Sequence, residues 1–301
     1  MGRRRTFRPG FAVDLPATLG AFAFGGGDVS TLVRGGTAAR AARTAHGEGA
    51  VMLTVRPGPA EVEAEAWGPG AEALLESVPA LLGAGDDPSL FRPVHPVLRD
   101  LHLRRPGMRF GRTGAAFEAV VPTIVGQKVA GREAKSSYRR LARAVGRPAP
   151  GPVSLVVPPD PAALAALPYE AYHPFGIERR RAEVIRAVAR SASRLEEAVA
   201  MGPADAFRRI TAFPGIGPWT AAYVMQLAMG DPDAVPVGDY NLPSLVSWNL
   251  AGEARGDDAR MLELLAPYAG QRARVLRLLK GSGVKAPRFG PRVALRRIEN
   301  L

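Results

Sequence analysis

The 301-residue sequence contains no cysteine, which excludes disulfides, iron–sulfur clusters and thiolate zinc sites. Its four histidines, His46, His95, His102 and His173, are scattered without metal-ligand spacing. The expectation is therefore an activity with no cofactor and no metal held by side chains. Long apolar runs are also missing: nothing approaches the roughly 18 residues of a membrane span, and MGRRRT is not followed by the apolar core of a secretory leader. A cytoplasmic protein without a membrane partner is predicted. Lysine is scarce, four of 40 basic residues. With abundant alanine, glycine and proline this points to biased codon usage, so the preference for arginine carries no functional meaning.

What is present is charge, unevenly placed. The chain has a formal charge of +12; residues 1–100 carry a net −1 and residues 101–301 a net +13. A basic region of this kind is the footprint of a nucleic-acid partner, because neutralising phosphates and releasing counterions supplies sequence-independent affinity. A merely soluble basic surface accounts for the charge equally well.

The length suits two or three domains. In residues 50–66, Val51, Leu53 and Val55 alternate on one side of a Pro-Gly loop and Val62, Ala64 and Ala66 on the other, the periodicity of a hairpin with one buried face. FAVDL at 11–15 and STLV at 30–33 are candidate further strands, and AEALLESVPALLG at 71–83 reads as a helix. Residues 1–104 thus form a small α+β domain, an antiparallel sheet with helices. From Ala115 onward apolar residues recur at spacings of three and four, which predicts an all-α region over 105–281 with a basic tail at 282–301. The loop at 146–161 separates two helical groups.

The stretch FPGIGPWTA, residues 213–221, joins two helical runs through Gly215-Ile216-Gly217 and re-enters a helix at Pro218, a residue preset for the first helical position. Glycine lets a ligand approach the backbone closely, and the unpaired N–H groups of a helix's first turn favour an anion. On these residues alone a plain αα-corner with Ile216 as core stays open. Downstream, an extended, proline-punctuated segment leads to Gly238-Asp239-Tyr240. Asp239 is placed either as a cap of the next helix or as an acidic group near the hairpin.

Taken together, a helical run, FPGIG, a Trp and a Tyr in the second helix and then Asp239 in an extended turn resemble the helix-hairpin-helix DNA glycosylases. The similarity is greatest to the alkylation-repair branch, 3-methyladenine DNA glycosylase II. RPGMRFGRTGAAFEAVVPTIVGQKV at 105–129 and the α+β start extend the likeness over about residues 5–281.

The resemblance implies a monomeric enzyme of base excision repair that acts on double-stranded DNA containing a damaged, alkylated purine. It makes Asp239 the catalytic carboxylate, suited to the positive charge that builds on the sugar as a glycosidic bond breaks. Bifunctional members carry a lysine two residues after the second hairpin glycine, where this chain has Trp219, so a monofunctional glycosylase without lyase activity is expected. Trp219 and Tyr223, four apart on one helical face, are implied to stack on an extruded base, with Tyr240 and Leu278 as further pocket candidates. Gly215, Gly217 and Thr220 are implied DNA contacts, the hairpin backbone being compatible with a monovalent cation. Gln127 and Lys128 are the candidates to fill the gap left by the extruded base, although a cation there departs from the branch's apolar wedge. Two further departures concern substrate: near Leu278 the branch has a pocket tryptophan, and the N-terminal pocket aromatic has no clear equivalent unless Phe22 serves. The alternatives are a glycosylase for oxidised guanine or a deaminated purine, and a non-catalytic DNA-binding protein, which would have no use for Asp239.

Overall fold

The structure, a computed structural model, describes residues 2–56 and 61–287. The chain opens with β1 (Arg3–Phe7) and the short helix α1 (Leu15–Leu19), then runs through β2 (Thr31–Arg34), β3 (Thr37–Thr44), β4 (Gly47–Arg56) and β5 (Glu61–Trp67). These strands form one antiparallel sheet in the order β1-β5-β4-β3-β2. The alternation expected at 50–66 is realised in register, with Val51 opposite Ala66, Leu53 opposite Ala64 and Val55 opposite Val62. The Pro-Gly turn between them lies outside the described residues. Helix α2 (Ala71–Leu81) covers this face, packing Leu74, Leu75 and Val78 on Val51, Leu53 and Val62.

FAVDL is not a strand. Asp14 accepts a hydrogen bond from the Ala17 amide and Pro16 occupies the first turn, so the segment caps and starts α1. STLV is β2, displaced by one residue. Strands β1 and β3 escape the sequence reading because RRRTF has no apolar alternation and TAARAART has no bulky β-branched run; the sheet recruits them as an exposed edge and an alanine-packed interior strand. The segment 146–161 is more than a separator. It carries a small ribbon, β6 (Arg147–Pro148) with β7 (Val156–Val157), and Leu155 and Val157 cover Ala39, Ala41 and Ala50 on the second face of the sheet.

The remainder is helical: α3 (Pro96–Leu103), α4 (Ala116–Val125), α5 (Gly131–Val145), α6 (Pro161–Ala166), α7 (Arg179–Arg190), α8 (Ala192–Glu196), α9 (Pro203–Thr211), α10 (Pro218–Val224), α11 (Leu242–Ala251), α12 (Asp258–Leu265) and α13 (Arg272–Ser282). These helices share two apolar cores. One unites residues of α4 to α10; the other unites Phe91, α3 and Met108 with α11, α12 and α13. The packing thus crosses residue 104, where sequence placed a boundary: the amphipathic face of α3, Leu98 and Leu101, buries itself on the last helices rather than on the sheet.

A buried ion pair locks this arrangement. Arg274 on α13 and Asp86, in the turn after α2, are both inaccessible side chains joined at 2.5 and 2.7 Å, and Asp86 also accepts the Phe110 amide at 2.9 Å. Removing one partner of such a pair strands a buried charge, which typically costs about 3–5 kcal/mol. Asp86→Ala should lower the denaturant midpoint by a corresponding amount, with Asp86→Asn intermediate, as measured by chemical unfolding followed by circular dichroism.

Candidate active site

At the hairpin, the two glycines serve different ends. Gly215 has φ +85°, and a Cβ there would lie 2.4 Å from Val184 Cγ2, so the fold itself requires glycine. Gly217 has an ordinary extended φ of −96° and open space where a Cβ would stand. Nothing in the protein demands a glycine there. Between them Ile216 enters the helical core, as the plain-corner reading has it. Pro218 starts α10, which continues as a π-helical turn over Met225–Met229 and stops at Gly230, φ +71°.

The chain then returns through Gly238, φ +87°, to Asp239, half-buried. Its Oδ1 accepts the amides of Asn241 at 2.9 Å and Leu242 at 3.1 Å, closing the N-terminus of α11. Its Oδ2 accepts Trp219 Nε1–H at 2.9 Å and lies 3.4 Å from the Tyr223 hydroxyl. Asp239 thus stands two residues before the N-cap residue Asn241, bonding the start of α11 through one oxygen and the aromatic pair of α10 through the other. Trp219 and Tyr223 stand edge to face with centroids 5.0 Å apart. Burial, reinforced by the Asp239 charge, pushes the Tyr223 phenol above its ordinary pKa, so the hydroxyl keeps its proton and donates to the carboxylate. From α13, Lys280 Nζ donates to the same hydroxyl at 2.9 Å and sits 5.0 Å from the ring centroid.

These groups line a cleft of about 1380 Å³, with Phe22 from the N-terminal domain and Arg277 on its walls. Gln127 and Lys128 lie at its edge in different states. Gln127 Nε2 donates to the Gly215 carbonyl at 3.0 Å and to Thr220 Oγ1 at 2.9 Å, tying the loop after α4 to the hairpin. Lys128 is exposed and holds the described residues' one positive φ outside glycine, +55°. Thr220 is 1 % exposed beneath Gln127, so it holds the loop rather than facing outward. Tyr240, 89 % exposed, stands at the rim and stacks on no ring among the described residues.

Leu278 does not belong to the cleft. It is fully buried against the helices of the C-terminal core, and α13 instead turns Arg277 and Lys280 toward the opening. Their spacing of three residues, which puts both on one face of α13, is the sequence signal for this wall of the cleft. Among the described residues, no group of three or more His, Cys, Asp or Glu side chains could hold a metal, and no helix is long and apolar enough to cross a membrane.

No family profile matches the chain. It is 34% identical over 134 residues to DNA-3-methyladenine glycosylase 2 of Escherichia coli, covering 43% of this chain and 47% of that protein. To a probable bifunctional transcriptional activator/DNA repair enzyme AlkA of Mycobacterium tuberculosis it is 28% identical over 151 residues, 49% of this chain and 30% of that one. The chain thus spans less than half the length of these curated relatives. The solved 3-methyladenine DNA glycosylase of Archaeoglobus fulgidus superposes with a TM-score of 0.74 at 22% identity, covering 91% of this chain and 97% of that one. The 8-oxoguanine glycosylase/lyase of Clostridium acetobutylicum, solved with DNA, gives 0.68 at 14% identity, with 94% and 99% covered. These superpositions show the fold shared by the helix-hairpin-helix DNA glycosylases. That fold is an α+β start followed by an all-α hairpin region.

Within this glycosylase fold the two hairpin glycines are separable by experiment. Gly215→Ala forces a left-handed alanine against Val184 and should destabilise by about 1–3 kcal/mol, whereas Gly217→Ala should leave stability within about 0.5 kcal/mol. Thermal denaturation of the two variants side by side checks the contrast.

Proposed function

We propose that the chain is a monofunctional DNA glycosylase of base excision repair, which extrudes a damaged purine from duplex DNA and hydrolyses its N-glycosidic bond. The reading rests on one observation: Asp239 Oδ2 meets Trp219 Nε1 and the Tyr223 hydroxyl inside the cleft, while Oδ1 is spent on the helix cap. The sequence likeness to proteins named for 3-methyladenine supports an alkylated purine as substrate.

In this reading the sugar of the extruded nucleotide sits over Asp239. As the C1′–N9 bond breaks, positive charge grows on the sugar; a carboxylate roughly 4 Å away at an effective dielectric near 20 stabilises it by about 4 kcal/mol, or about a thousandfold in rate. Water adds at C1′ and gives up a proton toward the carboxylate. Trp219 and Tyr223 hold the base by stacking, typically about 1–3 kcal/mol per base. Lys128 is the residue free to enter the vacated stack, because Gln127 is held by the hairpin. The backbone at Gly217, where no side chain obstructs approach, takes a DNA phosphate, and the +13 of residues 101–301 supplies the remaining attraction. A single chain carries the whole cleft, which supports a monomeric enzyme.

Incubating the protein with duplexes containing an alkylated purine, hypoxanthine, ethenoadenine, oxidised guanine or uracil should give alkali-labile sites at a damaged purine. Asp239→Asn should slow their formation about a thousandfold. An equally active Asn variant overturns the assignment, and strand scission without alkali overturns the monofunctional one. Gly217→Val should weaken binding to damaged and undamaged duplexes alike, as expected for a backbone contact; fluorescence anisotropy measures both.

A further inference from the structure

We infer that Lys280 sets the substrate class of this cleft: it favours purine lesions that are neutral and carry an acceptor edge, and disfavours purines with a fixed positive charge. The inference rests on the glycosylase reading above and departs from it on one point: among damaged purines it puts neutral lesions ahead of those made cationic by alkylation at N3 or N7.

The position carries the argument. Lys280 reaches into the cleft from α13, opposite the hairpin, and its Nζ is held 2.9 Å from the Tyr223 hydroxyl and 5.0 Å from the centroid of that ring. Tyr223 is half of the aromatic pair proposed to hold the base, and its hydroxyl also reaches Asp239 Oδ2. A base lying against this pair therefore meets the ammonium at its edge. Tyr223 takes one of three N–H donors, and among the described residues no carboxylate forms an ion pair with Lys280. Arg277, one turn earlier on the same wall, adds a second cation, its guanidinium 3.6 Å from the Phe110 ring centroid and bonded to the Arg109 carbonyl. The edge of the pocket is thus positive, while the negative charge of Asp239 lies toward the sugar.

Purines alkylated at N3 or N7 carry a formal positive charge within the nucleoside. They leave readily, since bond cleavage releases a neutral base without any proton donor. Such a base gains nothing from Lys280 and is repelled by it. Hypoxanthine and ethenoadenine are neutral, and their departure leaves an electron pair and negative charge on the base. Lys280 Nζ can pass a proton to a ring nitrogen as C1′–N9 breaks, so that the base departs neutral. Water adds to C1′ and its proton goes to Asp239; Lys280, open to solvent on its outer side, recovers its own from water. Although the Nζ keeps a solvent-facing side, desolvation between the cleft walls and the neighbouring Arg277 lower the Lys280 pKa, against an opposing pull from Asp239, which makes it a readier donor than a free lysine.

Single-turnover excision by the full chain tests this, using otherwise identical duplexes carrying hypoxanthine, ethenoadenine or 7-methylguanine. The wild-type protein should prefer a neutral lesion over 7-methylguanine at least tenfold. Lys280→Met should lose at least tenfold on the neutral lesions, hold or gain on 7-methylguanine, and bind undamaged duplex within twofold of wild type. Lys280→Arg should restore part of the neutral-lesion rate. Equal losses on all lesions together with weaker duplex binding would make Lys280 a phosphate contact and overturn the inference, as would an unchanged Met variant. Excision of no lesion by the wild-type protein would instead remove the glycosylase reading and the inference with it.

Discussion

The whole site depends on how one carboxylate divides its hydrogen bonds. Asp239 Oδ1 closes the first turn of α11, and Oδ2 takes the indole of Trp219 on α10. Helix α10 belongs to one apolar core and α11 to the other, so a single side chain bridges the two helical bodies at the mouth between them. A capping aspartate is common, and a cap alone would leave the second oxygen to solvent. Here the second oxygen meets an indole N–H and a phenol, which hold it in one orientation with side-chain groups of low conformational freedom. The cap fixes the carboxylate in place, the rigidity that its proposed catalytic role requires.

The same economy governs the hairpin. Gly215 turns the chain where only glycine fits, and its carbonyl is then used by Gln127 to hold the loop after α4 in place. The loop, the hairpin and α10 therefore behave as one unit, with Thr220 as the buried second anchor. Lys128, left out of this network, takes a left-handed backbone, a conformation that costs a non-glycine residue about 1–3 kcal/mol and persists only where surrounding structure imposes it.

Much of this was legible in sequence, for physical reasons that differ by element. The β4–β5 hairpin could be read because its buried face alternates strictly, and the period-two pattern leaves no other register. The hairpin glycines, Asp239, Trp219 and Tyr223 could be read because their spacing along two helices matches a known arrangement. Leu278 lies elsewhere than expected because α13 is buried over most of its circumference, Arg274 included, so the spacing of its apolar residues does not say which side faces the cleft; the charged pair Arg277 and Lys280 marks it instead. The tie between Gln127, a candidate to fill the gap left by an extruded base, and the hairpin has no sequence signal, because its partner, the Gly215 carbonyl, is backbone and far away in sequence. The exposed β1, held by pairing with β5 and not by its own side chains, left no apolar pattern to find.

The placement of positive charge follows from the same geometry. In the proposed reading, an amine in place of Trp219 would stand beside the Asp239 carboxylate, on the sugar side of the cleft. The indole there offers one N–H to the carboxylate and has no lone pair to attack with. Lys280 approaches from the other wall, with Tyr223 interposed between its Nζ and Asp239. On that reading, a cation across the cleft acts as a donor at the base instead of a nucleophile at the sugar. In the proposed reading it also sets the anion on the sugar side of the bond that breaks and the cation on the base side. A field in that direction assists cleavage of a neutral glycosidic bond most, because there the full charge separation has to be created.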